Sequence, residues 1–169
     1  IEELFSDLAS TIERAKKEKV PYLYIVDSLD ALSYTNELER DITEGSYGAE
    51  KAKKLSELFR RHIRSVFEAN ICLLIISQVR ENIGVTFGDK YTRSGGKALE
   101  FYSSQILWLA HLGQEKKQKK GIERVIGVNI KANCKKNKIG LPFRNCEFTI
   151  LFGYGIDDIS ATKKWLKKV

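Results

Sequence analysis

Apolar positions in the first stretch of the chain recur every three to four residues. Leu4, Phe5, Leu8, Ile12 and Ala15 share one face, which predicts an amphipathic helix over residues 1–17. After a polar break at Lys16 to Glu18 the pattern changes. Tyr22 to Val26, led in by Pro21, is an unbroken apolar and aromatic run with β-branched members, which predicts a buried parallel strand. Residues 29–48 are polar, glycine-containing and without a period, and read as a loop. From Ala49 to Asn70 the helical spacing returns at Ala52, Leu55, Leu58, Phe59, Ile63, Val66 and Phe67, predicting a long helix. Ile71 to Gln78 is a second buried strand, and Val79 to Ser94 a mixed loop of the length that usually carries function. A short helix follows over Lys97 to Ser103, then a strand over Gln105 to Ala110. The lysine-rich Gly113 to Gly121 reads as a hairpin turn into a strand at Arg124 to Ala132. Cys146 to Phe152 alternates as a final strand, Gly153 to Gly155 turns the chain, and Ile159 to Lys168 predicts a basic terminal helix. There is no internal repeat. Residues 1–158 are read as one partial core, and 159–169 as a terminal helix or the start of a linker.

Composition adds a partner class. A net charge of +7 over 169 residues favours an anionic partner, although lysine clusters such as Lys116 to Lys120 also suit a solvated surface. Cys72, Cys134 and Cys146 lack C-x-x-C spacing, and Cys72 falls inside an apolar strand. That set predicts buried thiols in a reducing, cytoplasmic setting rather than a disulfide or zinc framework. No apolar run approaches membrane-spanning length and no signal peptide is visible, so no membrane partner is expected. The chain holds no methionine and opens on Ile1 within a helical pattern, as a fragment or processed product would.

Candidate chemistry sits at the strand ends. Ligands of open α/β sheets bind at the C-terminal tips of the strands, and an aspartate there can hold the magnesium of a bound triphosphate. Asp27, followed by Ser28, occupies such a tip; a solvated Asp-Ser turn is the alternative. Gln78 ends the second strand. If the two strands are neighbours, its amide can touch a terminal phosphate, or it can simply cap backbone groups.

From Tyr24 to Leu32 the chain resembles the Walker-B strand of the RecA family of recombinases, bacterial or phage. The stretch Ser77-Gln78-Val79-Arg80 to Gly88 resembles that family's switch glutamine and second DNA-binding loop. Ser94-Gly95-Gly96 to Tyr102 is similar to the glycine pair and helix closing that loop. Lys136-Asn137-Lys138 to Phe143 resembles the lysine pair that reaches a neighbouring subunit's nucleotide, and Ile150 to Ile156 the turn after the last core strand. The resemblance runs from about residue 18 to about residue 158. It implies an α/β fold of the RecA-type P-loop NTPase core, a mostly parallel sheet flanked by helices with a C-terminal antiparallel hairpin, incomplete at its N-terminus.

The roles that follow are those the resemblance implies. Asp27 would hold Mg2+ and, with Ser28, Phe152 and Gly153, line the ATP site. Gln78 would couple nucleotide to DNA, while Lys136 and Lys138 would act across a subunit interface. Paired ammonium groups there would neutralise charge on a transferring phosphoryl group. Arg80, Ile83, Gly95, Gly96 and Lys97 would contact single-stranded DNA in the second loop, with Ile83 as a wedge between bases. Tyr47 in the first loop would stack on a base, and Arg60, or Arg61 or Arg64, would hold phosphates. Phe101 would pack into the adjoining subunit; Phe101 and Phe152 suit a core position equally well. The implied activity is filament formation on single-stranded DNA with ATP, then pairing with homologous double-stranded DNA.

One part is missing from the sequence. No G-x-x-x-x-G-K-[ST] occurs, and Ser94-Gly95-Gly96-Lys97 runs into Ala98. This chain alone is therefore expected not to bind ATP tightly or hydrolyse it. A catalytically inactive RecA-fold module that binds DNA or a partner stays open, as does a KaiC- or DnaB-like ring relative.

Overall fold

The computed structural model describes residues 1–35, 48–81, 91–93 and 97–167. It divides into two compact units, residues 1–102 and 103–169.

In the first unit, helix α1 (Glu2–Glu18) buries Leu8, Ile12 and Ala15, the stripe its spacing predicts. Glu2 and Glu3 in its first turn and Lys16 and Lys17 in its last complement the helix dipole. Strand β1 (Tyr22–Val26) leads through a short 3-10 turn at Leu29–Ala31 towards helix α2 (Gly48–Glu68). Asn70, at φ 55, turns the chain out of α2 into strand β2 (Ile71–Ile75). Asparagine is among the few non-glycine residues that take this conformation readily. β1 and β2 pair in parallel, from Tyr22 opposite Ile71 to Val26 opposite Ile75. A parallel pair needs a crossover long enough to return the chain, and α2 lies within it. Strands β3 (Val79–Glu81) and β4 (Tyr91–Arg93) then pair antiparallel, and helix α3 (Ala98–Tyr102) follows.

Two apolar clusters hold this unit. One gathers Leu29, Tyr34, Leu55, Leu58, Phe59 and Leu99; the other joins Leu8, Ile12 and Ala15 to Val66, Ala69 and Ile71. Leu73 and Ile75 face these clusters from β2. The opposite face of the pair carries Leu23, Ile25, Cys72, Leu74 and Ile76, all exposed. The expectation of two-sided burial, with a buried Cys72, is therefore corrected. Cys72 shares the outer face of the sheet with exposed leucines and isoleucines, Cys146 is also exposed, and Cys134 is half-buried.

The second unit is a four-stranded antiparallel sheet in the order β5 (Gln105–Lys119), β6 (Ile122–Asn137), β7 (Asn145–Leu151), β8 (Gly155–Ile156). Helix α4 (Asp158–Leu166) packs on β7. Its N-cap is Asp157, whose Oδ1 accepts from the Ser160 N–H at 3.0 Å; hydrogen bonds from the Ser160 side chain and then its N–H hold the carboxyl below its usual range. Gly127 lets β6 and β7 approach closely, for a Cβ there would stand 2.4 Å from the Ile150 carbonyl oxygen.

Two expectations change. The lysine-rich stretch is strand rather than turn; β5 and β6 meet at Lys120-Gly121, with φ 53 and 79. Two successive positive φ values are what a type I′ hairpin turn requires. The described strands also do not form one mostly parallel sheet but three separate ones. Among the described residues one pair is parallel and the other strands pair antiparallel. The α/β content stands.

Candidate functional site

The parallel register decides where the chemistry-bearing residues fall. Val26 is opposite Ile75, so Asp27 and the Ser77-Gln78 pair leave their strands at the same edge of the sheet. Three hydrogen bonds tie the two exits together. The Ile76 N–H donates to the Val26 carbonyl at 2.9 Å, and the Leu29 N–H to the Ile76 carbonyl at 2.9 Å. The Gln78 N–H donates to Asp30 Oδ2 at 2.7 Å. Asp27 and Gln78 are both exposed and Ser28 is half-buried. Ser77 has a buried hydroxyl with no hydrogen-bond partner.

Asp30 was not singled out from sequence, because a second acid three residues after Asp27 reads as ordinary turn polarity. Its carboxylate is a specific tie. It joins the turn after Asp27 to the residue just before β3. Lys51, at the start of α2, donates from Nζ to the Asp30 carbonyl at 3.2 Å and brings a cation to the same edge.

No group of three or more metal-ligating side chains occurs among the described residues. A lone exposed carboxylate still fits magnesium, which binds through one or two carboxylates and takes its other ligands from phosphates and water. Asp27 is the residue that would hold it.

β3 leaves directly from Gln78, and its pairing with β4 sets Arg80 opposite Thr92. The hairpin base is solvent-facing: Val79 is 45% exposed, Tyr91 51%, and Arg80 is exposed. Read as loop, this segment has strands at both ends; strands of three residues are too short to show a period in sequence. Tyr47, Ile83, Gly95 and Gly96 lie outside the described residues. Lys97 is exposed and its carbonyl accepts from the Phe101 N–H at 3.0 Å, beginning α3.

Of the three arginines on α2, two have carboxylate partners one helical turn away. Arg61 pairs with Glu57 at 3.0 Å and Arg64 with Glu68 at 2.7 Å, whereas Arg60 is exposed and forms no ion pair among the described residues. Arg60 is the cation available to an external phosphate. It stands about 13 Å along the helix from Lys51 at a rise of about 1.5 Å per residue, so it does not join the strand-tip cluster. Phe101 is 72% exposed with its ring edge-on to Tyr102, which removes the core alternative.

Lys136, Lys138, Phe152 and Gly153 belong to the second unit. Lys136 is in β6 opposite Ile106, and Lys138 lies just past the strand end, its N–H donating to the Ser104 carbonyl at 2.9 Å. Strand alternation therefore does not by itself set both lysines on one side. The bend comes from Asn137, whose Oδ1 accepts from the N–H groups of Ile139 and Gly140 at 3.0 Å each. Phe152 is 62% exposed, not core, and its N–H donates to the Ile126 carbonyl at 2.9 Å; Gly153 makes the following turn at φ 73. Ile126 and Lys136 are separated along β6 by about 34 Å at roughly 3.4 Å per residue. The aromatic and the lysines thus occupy opposite ends of the same sheet.

A family model described as the RecA N-terminal domain matches residues 11–157. A protein named Protein RecA from Chlamydia trachomatis serovar L2 is 37% identical over 150 residues, covering 89% of this chain and 42% of its own length. Protein RecA from Allochromatium vinosum is 38% identical over 132 residues, covering 78% of this chain and 37% of its own. Protein RecA from Chlamydia felis is 36% identical over 151 residues, with coverages of 89% and 42%. The chain thus spans about two fifths of the length of these relatives.

Proposed function

This chain belongs to the RecA family, and on that premise we propose that it is part of an ATP-dependent DNA recombinase. The complete protein would assemble as a helical filament on single-stranded DNA and exchange strands with homologous double-stranded DNA, in recombination and repair in the cytoplasm. A RecA-type P-loop NTPase core is the fold this implies. No helix among the described residues is long and apolar enough to cross a membrane.

The observation that carries the reading is the shared edge. Asp27 and Gln78 lie just past the ends of adjacent parallel strands, and the hairpin bearing Arg80 leaves directly from Gln78. Magnesium, when bound with ATP, supplies charge neutralisation for the transferring phosphoryl group. Asp27 would hold the ion, with Ser28 next to it in the chain. The Gln78 amide would contact the terminal phosphate, and a shift of Gln78 would move the base of the hairpin, since the two are consecutive in the chain. Arg80 and Lys97, with Gly95, Gly96 and Ile83 between or beside them in sequence, take the DNA; Tyr47 and Arg60 add a stacking ring and a cation.

The second unit supports action in trans. Phe152 and Gly153 are about 34 Å from Lys136 along one ladder, farther than a single nucleotide reaches. One chain therefore serves two nucleotides, with Phe152 beside one and Lys136 and Lys138 on another across the filament interface. Phe101, exposed, packs into the neighbouring subunit.

Single-stranded DNA binding by this chain tests the proposal. Fluorescence anisotropy should show salt-sensitive affinity. Arg80→Ala should weaken it and lower the slope of log K against log salt by about 0.7, the value for one phosphate contact on a single strand. Equal affinity and slope for the variant would remove the hairpin from the DNA site.

A further inference from the structure

The hairpin of β5 and β6 outreaches the sheet it belongs to. β7 pairs with β6 only over Gly127 to Asn133, and the Phe152 N–H reaches Ile126. Beyond that point Lys116 to Lys119 and Ile122 to Val125 continue as a two-stranded ribbon, exposed throughout. Five cations, Lys116, Lys117, Lys119, Lys120 and Arg124, stand there against one carboxylate, Glu123. The ribbon thus carries +4 of the chain's net +7.

Register sorts these charges by face, because cross-strand partners share a face and neighbours in sequence do not. Lys116 is opposite Val125 and Gln118 opposite Glu123 on one side. There Lys116 Nζ donates to Glu123 Oε1 at 2.8 Å, so the cation is answered. Lys117 is opposite Arg124 and Lys119 opposite Ile122 on the other side. Within the ribbon that side has no carboxylate; Glu115, the next residue of β5 on that face, accepts from Asn129 Nδ2 at 3.0 Å, and Lys117, Lys119 and Arg124 form no ion pair among the described residues. Like charges directly opposite each other destabilise a ladder. A ribbon selected only to stay soluble would set Glu123 between them rather than on the far face.

We propose that the Lys117–Lys119–Arg124 face binds the phosphate backbone of double-stranded DNA, as a contact separate from the strand-tip hairpin and using none of its residues. Alternate side chains repeat at about 6.8 Å along a strand, which offers a row of cations to a row of phosphates. A two-stranded ribbon also fits the major groove, about 12 Å wide. No residue from Lys116 to Val125 is aromatic, so the ribbon has nothing to stack on the bases of a single strand. The tight turn at Lys120-Gly121 presents the face without a floppy tip.

Anisotropy of a short labelled duplex over a salt series tests this with the 169-residue chain. Lys117→Ala, Lys119→Ala and Arg124→Ala combined should weaken binding by about tenfold or more and lower the slope of log K against log salt by about 2.7, at about 0.9 per phosphate. The glutamine equivalents, which keep side-chain length and hydrogen-bonding capacity, should lose as much with an unchanged circular dichroism spectrum. Two controls separate the face from bulk charge. Lys116→Ala with Glu123→Ala should bind as the parent does. Lys163→Ala, Lys164→Ala and Lys167→Ala combined, removing the same charge from the C-terminal region, should change the slope far less. Arg80→Ala should leave the ribbon's share of the duplex slope intact, so loss of the strand-tip site and loss of this one are read apart. The proposal is overturned if the ribbon variant matches the C-terminal control. It is overturned equally if phosphatidylglycerol vesicles bind the ribbon and the duplex does not.

Discussion

Replacing Asp30 by alanine removes the carboxylate that receives the Gln78 N–H at 2.7 Å. A hydrogen bond to a charged acceptor contributes about 1.5–3 kcal/mol where water is excluded. This one lies at an exposed edge, so about 1 kcal/mol is the appropriate scale. At about 1.4 kcal/mol per tenfold, that is roughly a fivefold increase in local opening. Amide hydrogen exchange reads it directly. In Asp30→Ala the Gln78 N–H should exchange about fivefold faster. The Ile76 N–H, bonded instead to the Val26 carbonyl, should change little. Asp30→Asn, which keeps an acceptor oxygen, should fall between parent and alanine variant. An unchanged Gln78 rate in the alanine variant would refute the tie. So would equal acceleration at Ile76 and Leu73, because the effect would then be general loosening of the strand pair.

Gly127→Ala should destabilise the second unit by about 1–3 kcal/mol, the usual cost of forcing atoms into a filled space, because the new Cβ meets the Ile150 carbonyl at 2.4 Å. Urea titration followed by the fluorescence of Trp108 reads this, and an unchanged midpoint would contradict the close approach of β6 and β7. Acid should weaken the contact between α1 and α2. The hydrogen bond from Lys54 holds Glu2 at about 2, down from 4.5. A depressed carboxylate stabilises the fold above its unfolded value and loses that contribution as pH falls from about 4.5 towards about 2. Since the Glu2 side chain is 46% exposed, the contribution is only about 0.5 kcal/mol after solvent screening. Glu2→Gln should flatten this part of the stability-against-pH curve measured by denaturant midpoints, and a curve parallel to the parent's would count against the bond.

Periodicity located α1 and α2 because each buries one apolar stripe, and the strands of the parallel pair because each is an unbroken apolar run. Where burial is weak the pattern misled. Lys116 to Lys119 read as turn because a ribbon exposed on both faces needs no apolar alternation, and β3 and β4 were too short to show any. Cys72 read as buried because its neighbours are apolar, yet it lies on the uncovered face of the sheet. The strand-tip residues Asp27 and Gln78 were legible as candidates, since an apolar run that stops at a polar residue marks a strand end.

By itself the sequence determined the kinds of element, the apolar stripes they bury, the family resemblance and the excess of positive charge. Tertiary structure decided that Asp27 and Gln78 share an edge, that Asp30 reaches an amide 48 residues away, and that among the described residues Arg61 and Arg64 have carboxylate partners and Arg60 has none. It also decided that the ribbon's cations gather on one face. The physical reason is range. Propensity and periodicity act over a few neighbouring residues, whereas register and charge pairing depend on which distant segments come to lie side by side.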